Sequence, residues 1–319
     1  MLIKPVDIGG IVTPNNVFMA PLAGYTNYPF RKLCLRYGAG LTFTEMVSAK
    51  GLHYGSENTK ELLYTGEAEK IKAAQLFGND PAVLREACES EALAPFSVID
   101  VNMGCPMPKI YNNGEGSALL LHAPLAAKIV SECKKSGKRV TVKMRIGVDA
   151  KNIVGADFAK AVADAGADMI TVHGRTKDKI YAGEPDYGAI AAVKRAVHVP
   201  VIANGGIFGV SDAEKMIAET GADGVMIARA AMYDPQIFCE FTGAARESKR
   251  NMILSQLFET EALYGERFAL VYMRKMSAFY LKGEAGAARC RERLFACETT
   301  AALRDAITEI YAFSFPTGE

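Results

Sequence analysis

Residues 199–230 read VPVIANGGIFGVSDAEKMIAETGADGVMIARA, and this stretch contains the structural unit from which the fold can be inferred. Two short apolar runs, at 199–206 and 223–230, stand on either side of an amphipathic segment at 211–223. Apolar runs of this length, separated by a helical pattern, indicate buried parallel strands joined by a helix. The stretch therefore predicts a strand–helix–strand unit.

The same alternation of strand and helix patterns occupies most of the chain. Eight such units within about 235 residues match an α/β fold of the (β/α)8 TIM barrel class in number and length. A doubly wound open sheet is the alternative, but it usually has fewer strands and a dinucleotide or P-loop signature, which this sequence lacks. The other six candidate strands are NVFMAPLAG (16–24), GLTFTEMVS (40–48), KAAQLFG (72–78), SVIDVNMG (97–104), VTVKMRIG (140–147) and MITVHGR (169–175).

The last part of the chain has helical patterns throughout, over 251–264, 267–282, 286–297 and 299–312. We therefore predict two domains, a barrel at 1–243 and an all-helical domain at 244–319. Between 267 and 293, seven basic residues occur with only two acidic ones, and either a solvated helix face or a phosphate-binding face explains this surplus. The basic residues are Arg267, Arg274, Lys275, Lys282, Arg289, Arg291 and Arg293.

Length, composition and charge are those of an ordinary globular protein. Of 319 residues, 50% are hydrophobic, and the net charge of +1 excludes a strongly basic, histone-like protein. No signal-like N-terminus and no apolar run of about 18 residues occur, so we expect a cytoplasmic protein with no membrane segment. Seven irregularly spaced cysteines argue against a disulfide framework, and no CxxC or HExxH spacing indicates a metal site.

Polar residues occur where the candidate strands end, which is the side of such a barrel that carries chemistry. The seventh strand ends in Asn204, Gly205 and Gly206, and the eighth in Arg229. Each residue alone has a structural explanation, such as a turn or a cap, but eight coincident placements predict one site at the barrel mouth. The other members are Pro21 to Gly24, Glu45, Gln75, Asn102, Cys105, Lys143, Arg145, His173 and Arg175.

Two groups of these side chains suit a phosphorylated cofactor. Gly205 and Gly206 supply backbone N–H groups that a phosphate can approach, although a tight turn would also explain them. Arg229 adds a guanidinium after strand eight, where phosphate sites of this fold commonly lie. Lys143 fits a fixed cation beside a ring that becomes anionic on reduction.

The remaining polar groups favour a flat heterocycle over a sugar phosphate. The amide of Gln75 and the ring of His173 can bind the edge of such a ring, and no carboxylate pair suited to hydrolysis is present. A phosphorylated, flat, redox-active cofactor therefore fits this set best.

Cys105 lies in the loop NMGCPMPKIYNNGEG (102–116) and not inside an apolar element. A free thiol, with a pKa of about 8.5, is mostly protonated at neutral pH and can deliver a proton to carbon as a general acid. A nucleophile activated by Lys143 or His173, or an inert buried thiol, are the alternatives.

Together these motifs resemble the tRNA-dihydrouridine synthases, most closely their bacterial B-type branch, from about Val17 to Arg293. The combination of MGCP with VHGRT at this distance is the most specific part of the resemblance. The matching segments are APLAGYTNYPFR (20–31), QLFG (75–78), IDVNMGCPMPKI (99–110) with GSALL (116–120), VKMRIG (142–147), VHGRT (172–176) with YAGEPDY (181–187), VIANGGI (201–207), DGVMIARA (223–230) and MRKMSAFYLKG (273–283).

The resemblance implies an FMN-dependent enzyme that reduces uridine in tRNA, or in other structured RNA, with NADPH as the electron donor. It implies that Cys105 protonates uracil C5 while flavin N5 passes hydride to C6, and that Asn102 and Arg145 bind the uracil edge. The barrel would bind FMN, the helical domain would bind RNA phosphates, and the target base would be flipped out of its stack. The residues implied to hold FMN are Pro21, Gln75, Lys143, His173, Asn204, Gly205, Gly206, Ala228 and Arg229.

Several positions depart from the usual form of the family. Strand seven commonly ends Asn-Gly-Asp, where this sequence has Gly206, and strand eight commonly reads Gly-Arg-Gly, where it has Ala228 and Ala230. The histidine of the branch's MRKH motif is Met276. The cofactor is still expected to bind, whereas the RNA contacts and the target uridine stay open.

Two other classes of function stay open on the sequence. One is a flavin barrel that acts on a free pyrimidine, similar to dihydroorotate or dihydropyrimidine dehydrogenases, although such an enzyme needs no basic helical domain. The other is an RNA-binding protein without turnover, although such a protein does not need Cys105, Lys143 and His173 together. No motif indicates the oligomeric state.

Overall fold

The predicted strands form one parallel, eight-stranded sheet. The structure, a computed structural model, describes residues 3–313. A short antiparallel hairpin, β1 (Asp7–Ile8) and β2 (Ile11–Val12), precedes the sheet. The strands of the sheet are β3 (Val17–Met19), β4 (Met46–Ser48), β5 (Ala73–Phe77), β6 (Val98–Met103), β7 (Arg139–Arg145), β8 (Met169–His173), β9 (Val201–Asn204) and β10 (Gly224–Ile227).

The sheet curls into a barrel. Its hydrogen-bonded order is β3-β10-β9-β8-β7-β6-β5-β4, so the first strand lies beside the last, as a closed cylinder requires. One parallel bridge, between Phe18 and Leu41, joins the two remaining edges. The predicted (β/α)8 barrel is confirmed.

The second barrel strand is shorter than the sequence predicts. The pattern predicts a strand over 40–48, but only Met46–Ser48 pairs with β5. Upstream, the hydroxyl of Thr44 accepts a hydrogen bond from the backbone N–H of Gln75 at 3.1 Å. A side chain thus takes the place of a main-chain partner there, and the segment runs along the barrel wall without a regular ladder.

Helices connect the strands on the outside of the barrel, and capping residues define several of their starts. The Asp80 carboxylate accepts the first free N–H groups of α4, and Asp186 does the same for α8. The helices are α1 (Tyr28–Arg36), α2 (Ala49–His53), α3 (Glu57–Glu61), α4 (Pro81–Glu89), α5 (Pro108–Tyr111), α6 (Ala123–Lys134), α7 (Gly155–Asp164), α8 (Tyr187–Ala196), α9 (Val210–Thr220), α10 (Arg229–Tyr233), α11 (Ile237–Thr242), α12 (Lys249–Tyr264), α13 (Glu266–Tyr280), α14 (Ala287–Ala296) and α15 (Thr300–Phe313), with 3-10 turns at Glu91–Leu93 and Gly116–Leu121.

The N-terminal hairpin closes the bottom of the barrel. Ile8 is fully buried and belongs to the same core cluster as Val98 and Met169, the residues at which two barrel strands begin. At the hairpin turn, Gly9 lies so close to the carboxylate of Asp168 that a Cβ would be 2.4 Å from one of its oxygens. The sequence pattern does not predict this hairpin, because two-residue strands are too short to show a period.

The last four helices, α12 to α15, begin and end within two residues of the predicted helical patterns. They contact the barrel near its mouth, where the Tyr272 hydroxyl donates to the carbonyl oxygen of Tyr25 at 2.6 Å. Met276 is fully buried within α13. The domain division at 243/244 falls between α11 and α12 and stays a prediction. Across residues 3–313, no helix has the length and apolar character to span a bilayer.

Candidate active site

A cavity of about 400 Å³ opens at the carboxyl ends of the barrel strands. Each barrel strand, or the loop that follows it, contributes to the wall. Glu45, which the sequence also places at this mouth, borders a neighbouring cavity instead. The twelve residues that the sequence singles out for cofactor, substrate or catalysis all border the first cavity: Pro21, Gln75, Asn102, Cys105, Lys143, Arg145, His173, Asn204, Gly205, Gly206, Ala228 and Arg229.

A chain of hydrogen bonds runs from the barrel interior to the Cys105 loop. Gln75 Nε2 donates to Asp100 Oδ2 at 2.6 Å, and Gln75 Oε1 accepts from Asn102 Nδ2 at 2.9 Å. Asn102 Oδ1 in turn accepts the backbone N–H of Cys105 at 2.9 Å. Burial raises the pKa of Asp100 to about 6, so this group is a carboxylate at neutral pH and only accepts hydrogen bonds. The carboxylate therefore sets the orientation of both amides.

Lys143 is a cation held in the cavity wall. Its Nζ donates to Asn204 Oδ1 at 3.3 Å, and Asn204 Nδ2 donates to the carbonyl oxygen of Met226 at 2.7 Å. Burial, followed by the charge of Arg145, lowers the pKa of Lys143 to about 8, while the charge of Asp100 acts in the opposite direction. An anionic group that enters the cavity would stabilise this ammonium.

His173 is a neutral imidazole among positive charges. Burial lowers its pKa far below the usual range, and Lys143, Arg145, Arg175 and Arg229 act in the same direction. Arg175 Nη1 lies 3.2 Å from His173 Nε2. Because a guanidinium only donates, Nε2 is the acceptor, and we assign the ring proton to Nδ1. Sequence reasoning names Arg175 at a strand end but gives it no role.

The turn after β9 exposes backbone donors. Gly205 and Gly206 have φ angles of 112° and 71°, which favour glycine. A Cβ on Gly205 would lie 2.7 Å from Cδ2 of His173, so this turn tolerates no side chain there. Within residues 3–313 the N–H groups of both glycines make no hydrogen bond. Together with the Arg229 guanidinium on the same cavity, they form a donor set suited to a phosphate.

Aromatic rings also border the cavity. The resemblance covers Tyr181, in the segment after VHGRT, without giving it a role, and sequence reasoning does not identify Phe208. The Arg229 guanidinium lies 4.9 Å from the ring centre of Tyr181 and 5.5 Å from that of Phe208. Both rings are about half exposed, at 50% and 49%. They lie in loops, where no strand or helix period distinguishes a lining residue from an exposed one.

Arg145 uses much of its donor capacity inside the protein. Its Nε donates to the carbonyl oxygen of Gly104 at 2.9 Å, and its Nη1 donates to those of Thr176 and Ile180 at 2.9 and 3.0 Å. Burial lowers its pKa to about 10, so it stays charged at neutral pH. These inward bonds go to backbone atoms of two other loops, which sequence patterns do not reveal.

Cys105 differs from the other six cysteines, because those are buried and Cys105 is partly exposed. Its carbonyl oxygen accepts the N–H and the hydroxyl of Ser117 at 3.1 and 2.8 Å, which fixes the loop. Burial raises the pKa of the Cys105 thiol, and the charges of Arg145 and Lys143 only partly offset this. The group is therefore a thiol at neutral pH, suited to donate a proton and poorly suited to attack as a nucleophile.

Two solved structures show the same fold. The chain is similar to an old yellow enzyme homologue from Zymomonas mobilis, with a TM-score of 0.57 and 14% identity over 78% of this chain and 94% of that one. It is also similar to morphinone reductase in complex with tetrahydroNAD, with a TM-score of 0.53 and 15% identity over 77% and 92% of the two chains. At these identities the similarity establishes the fold alone. Fold and cavity thus define a (β/α)8 barrel whose site lies at the carboxyl ends of its strands.

Sequence comparison then identifies the family. The model of the family described as Dihydrouridine synthase (Dus) matches residues 18–313. A protein named tRNA-dihydrouridine synthase B from Pseudomonas aeruginosa is 36% identical, with 96% of each chain covered. A probable tRNA-dihydrouridine synthase from Helicobacter pylori is 35% identical, with 92% of each chain covered. The chain therefore belongs to the dihydrouridine synthase family of oxidoreductases, as its motifs indicate.

Proposed function

We propose that this chain is an FMN-dependent enzyme of the cytoplasm that reduces uridine in tRNA to 5,6-dihydrouridine, with NADPH as the electron donor. Membership of the family supports the reaction, and the names of the relatives support tRNA as its substrate. The fold shared with a reductase in complex with tetrahydroNAD is consistent with a nicotinamide reductant.

The chemistry of the donor set supports FMN as the cofactor. The free N–H groups of Gly205 and Gly206, with Arg229, suit its phosphate, and Pro21 and Ala228 border the same cavity. Bound FMN would supply the hydride for uracil C6. Lys143 would stabilise negative charge on the ring system, and its lowered pKa fits a cation whose counter-ion is a ligand.

The edge of the flavin ring would be bound by three further side chains. Gln75 reaches the cavity with its amide orientation already fixed by Asp100. His173, neutral with its proton on Nδ1, and Asn204 complete the set.

The free, partly exposed Cys105 on the wall of the cavity is the observation that carries the proposal. Because burial keeps Cys105 protonated, it would deliver the proton to uracil C5. The Nη2 group of Arg145 would bind the uracil edge, since its Nε and Nη1 groups have partners inside the protein. The second N–H of the Asn102 amide, which lies against Met46 Sδ at 3.8 Å, would exchange this weak sulfur acceptor for an oxygen of the uracil edge. Basic helices of the C-terminal segment would bind RNA phosphates.

The test is a Cys105→Ala variant assayed by nucleoside mass spectrometry on tRNA that lacks dihydrouridine. We expect flavin absorbance to be retained and turnover to fall by about 10²- to 10⁴-fold, the usual contribution of a positioned acid. Cys239→Ala, at a buried cysteine away from the cavity, is the control and should act like the wild type. Unchanged turnover in Cys105→Ala would remove the thiol from the mechanism.

The same assay separates the other two functions. A flavin barrel specific for free pyrimidines would reduce uracil and leave tRNA unmodified. An RNA-binding protein without turnover would be colourless after purification and would form no dihydrouridine.

A further inference from the structure

A second cavity, of about 330 Å³, lies between the loop after β3 and helix α13. The loop separates it from the active-site cavity: Gly24 borders the second cavity, whereas the adjacent Ala23 and Tyr25 border the first. The proposed function leaves this space unused. Its lining residues are Gly24, Asn27, Glu45, Glu61, Leu62, Tyr264, Phe268, Val271, Tyr272 and Lys275.

One wall of the second cavity consists of aromatic faces. The ring centres of Tyr264 and Phe268 are 4.7 Å apart, and those of Phe268 and Tyr272 are 5.8 Å apart with nearly parallel planes, at 15°. Phe268 is 44% exposed and its neighbour Val271 is 64% exposed. Large apolar side chains on a helix rarely stay exposed as a group in a soluble protein unless they bind something.

Two charged side chains, Glu45 and Lys275, border the same cavity beside Gly24. Glu45 Oε2 accepts the backbone N–H of Gly24, and within residues 3–313 its Oε1 has no hydrogen-bond partner. Lys275 Nζ donates to the carbonyl oxygen of Gly24 at 2.5 Å and lies 4.1 Å from the ring centre of Tyr25. The ammonium has further N–H donors. An acceptor and a donor therefore border the same cavity as the aromatic rings.

We propose that this second cavity binds an unstacked nucleobase of the RNA substrate, close to the nucleotide that enters the active site. A base has a flat face that can stack on the exposed ring of Phe268, and an exocyclic amino group on its edge would donate to Glu45. We take the occupant to be adenine, guanine or cytosine, because the single edge N–H of uracil lies between two carbonyl oxygens that repel a carboxylate. This inference rests on the proposed function, because it needs RNA as the ligand.

Position and charge favour RNA over a protein segment. The cavity lies beside the active-site mouth, on the helix α13, which belongs to the basic segment between 267 and 293. Stacking of bases on aromatic side chains is the usual way in which proteins hold single-stranded nucleotides. A base also supplies, on one rigid ring, both the flat face and the edge donor that this cavity would accept.

The test compares Phe268→Ala and Glu45→Gln with Phe258→Ala, an equally simple truncation of an exposed ring on α12 outside the cavity. Binding of unfractionated tRNA is measured by fluorescence anisotropy, and ultraviolet crosslinks are mapped by mass spectrometry. We expect the wild type to crosslink through residues 264–272 to a base other than uracil. Phe268→Ala should weaken binding about five- to hundredfold, the range for loss of one stacked base, and Phe258→Ala should not.

The outcomes are distinguishable from failure of the proposed function. If the wild type forms dihydrouridine but Phe268→Ala and Glu45→Gln bind tRNA as Phe258→Ala does, the second cavity is not a base site. If crosslinks in this cavity come from a protein, or only from uracil, the inference is also overturned. If the wild type neither binds nor modifies tRNA, the proposed function and this inference fail together. Retained flavin content and melting temperature show that each variant is folded.

Discussion

At Asp100, a carboxylate that borders no ligand cavity decides how three other residues are arranged. One oxygen accepts from Gln75 and the other from the Thr141 hydroxyl, both at 2.6 Å. The oxygen and nitrogen of an Asn or Gln amide can exchange places by a rotation of the group. Only a neighbouring atom that is fixed as an acceptor or a donor selects one of the two orientations. Through Gln75 and Asn102, this selection reaches the backbone N–H of Cys105.

Asp100→Asn should disrupt these hydrogen bonds, although the new side chain has the same size and shape as the aspartate. With the new N–H₂ toward Gln75 Nε2, a donor would face a donor; with the amide reversed, the Thr141 hydroxyl would have to accept and would lose its own acceptor. Either orientation leaves one buried polar group unpaired, which costs about 1–3 kcal/mol. We expect a lower melting temperature in calorimetry, together with lower turnover in flavin-loaded enzyme. The double variant Asp100→Asn with Gln75→Glu restores an acceptor for both neighbouring amides and should recover the melting temperature. No recovery would mean that Asp100 acts in another way.

Lys143→Met should stabilise the flavin-free protein while impairing reduction. Because the folded-state pKa, at about 8, lies below that of an unfolded lysine, the charged form is penalised in the folded state below pH 8. After allowance for solvent screening, removing the charge should add about 2 kcal/mol at pH 7, and the gain should vanish between pH 8 and 10.5.

Denaturation of the flavin-free protein at several pH values measures this gain, and Lys160→Met, at an exposed lysine on α7, is the control. In stopped-flow experiments, NADPH should reduce the flavin of Lys143→Met at least about tenfold more slowly, as expected for loss of a positioned charge. Equal reduction rates would contradict the role of Lys143 in stabilising the ring.

At the scale of elements, the turn after β9 shows how closely a loop is fitted to its neighbours. Gly205 is packed against the His173 ring, and a Cβ there would also lie 3.1 Å from Nη1 of Arg175. The turn can therefore keep both its exposed N–H groups and its contact with β8 only if the residue is glycine.

Gly205→Ala should displace the His173 ring and weaken flavin binding. Overpacking and a positive φ together should cost about 2–4 kcal/mol. Flavin retention on gel filtration and the melting temperature measure the two effects. Gly137→Ala is the matched control, because Gly137 has a φ of 77° but nothing within 4 Å of its Cβ position. Equal losses in the two variants would show that backbone strain alone is responsible.

The elements also show which parts of the fold and the site can be predicted from sequence patterns. All eight barrel strands and four terminal helices are predictable, because each has a hydrophobic period or ends at a glycine. The end of β4 is predictable but its start is not. There the backbone N–H of Gln75 donates to the Thr44 hydroxyl and not to a main-chain carbonyl of the neighbouring strand. Site residues at strand ends follow from the barrel class, whereas Tyr181 and Phe208 come from loops and depend on tertiary contacts.

On the scale of the whole molecule, positive charge is distributed unevenly although the net charge is +1. Some of the basic residues between 267 and 293 have partners inside the protein: Arg291 Nε donates to the carbonyl oxygen of Ala278 at 3.3 Å, and Arg293 pairs with Glu309. Arg289 is exposed. The surface available to RNA phosphates is therefore smaller than the sequence count suggests.

Replacing Arg289, Arg291 and Arg293 together with Gln should weaken tRNA binding and flatten its salt dependence. Because Arg293 is already paired, the slope of log K against log salt should fall by about two and not three. Anisotropy titrations from low to high salt measure the slope. The control replaces Lys128, Lys135 and Lys160, which are exposed on the barrel side. An unchanged slope would place the RNA surface elsewhere.

The N-terminal hairpin closes the barrel at the amino ends of its strands, since β1, β2 and the side chains packed above them fill that end. Every ligand of the active site must therefore enter and leave through the opening at the carboxyl ends of the strands. If the proposed function holds, NADPH and the extruded uridine cannot both occupy the bottom of the active-site cavity at the same time. Reduction of the flavin by NADPH and reduction of uridine would then alternate. The protein-bound flavin would hold the electrons while one substrate leaves and the next one binds.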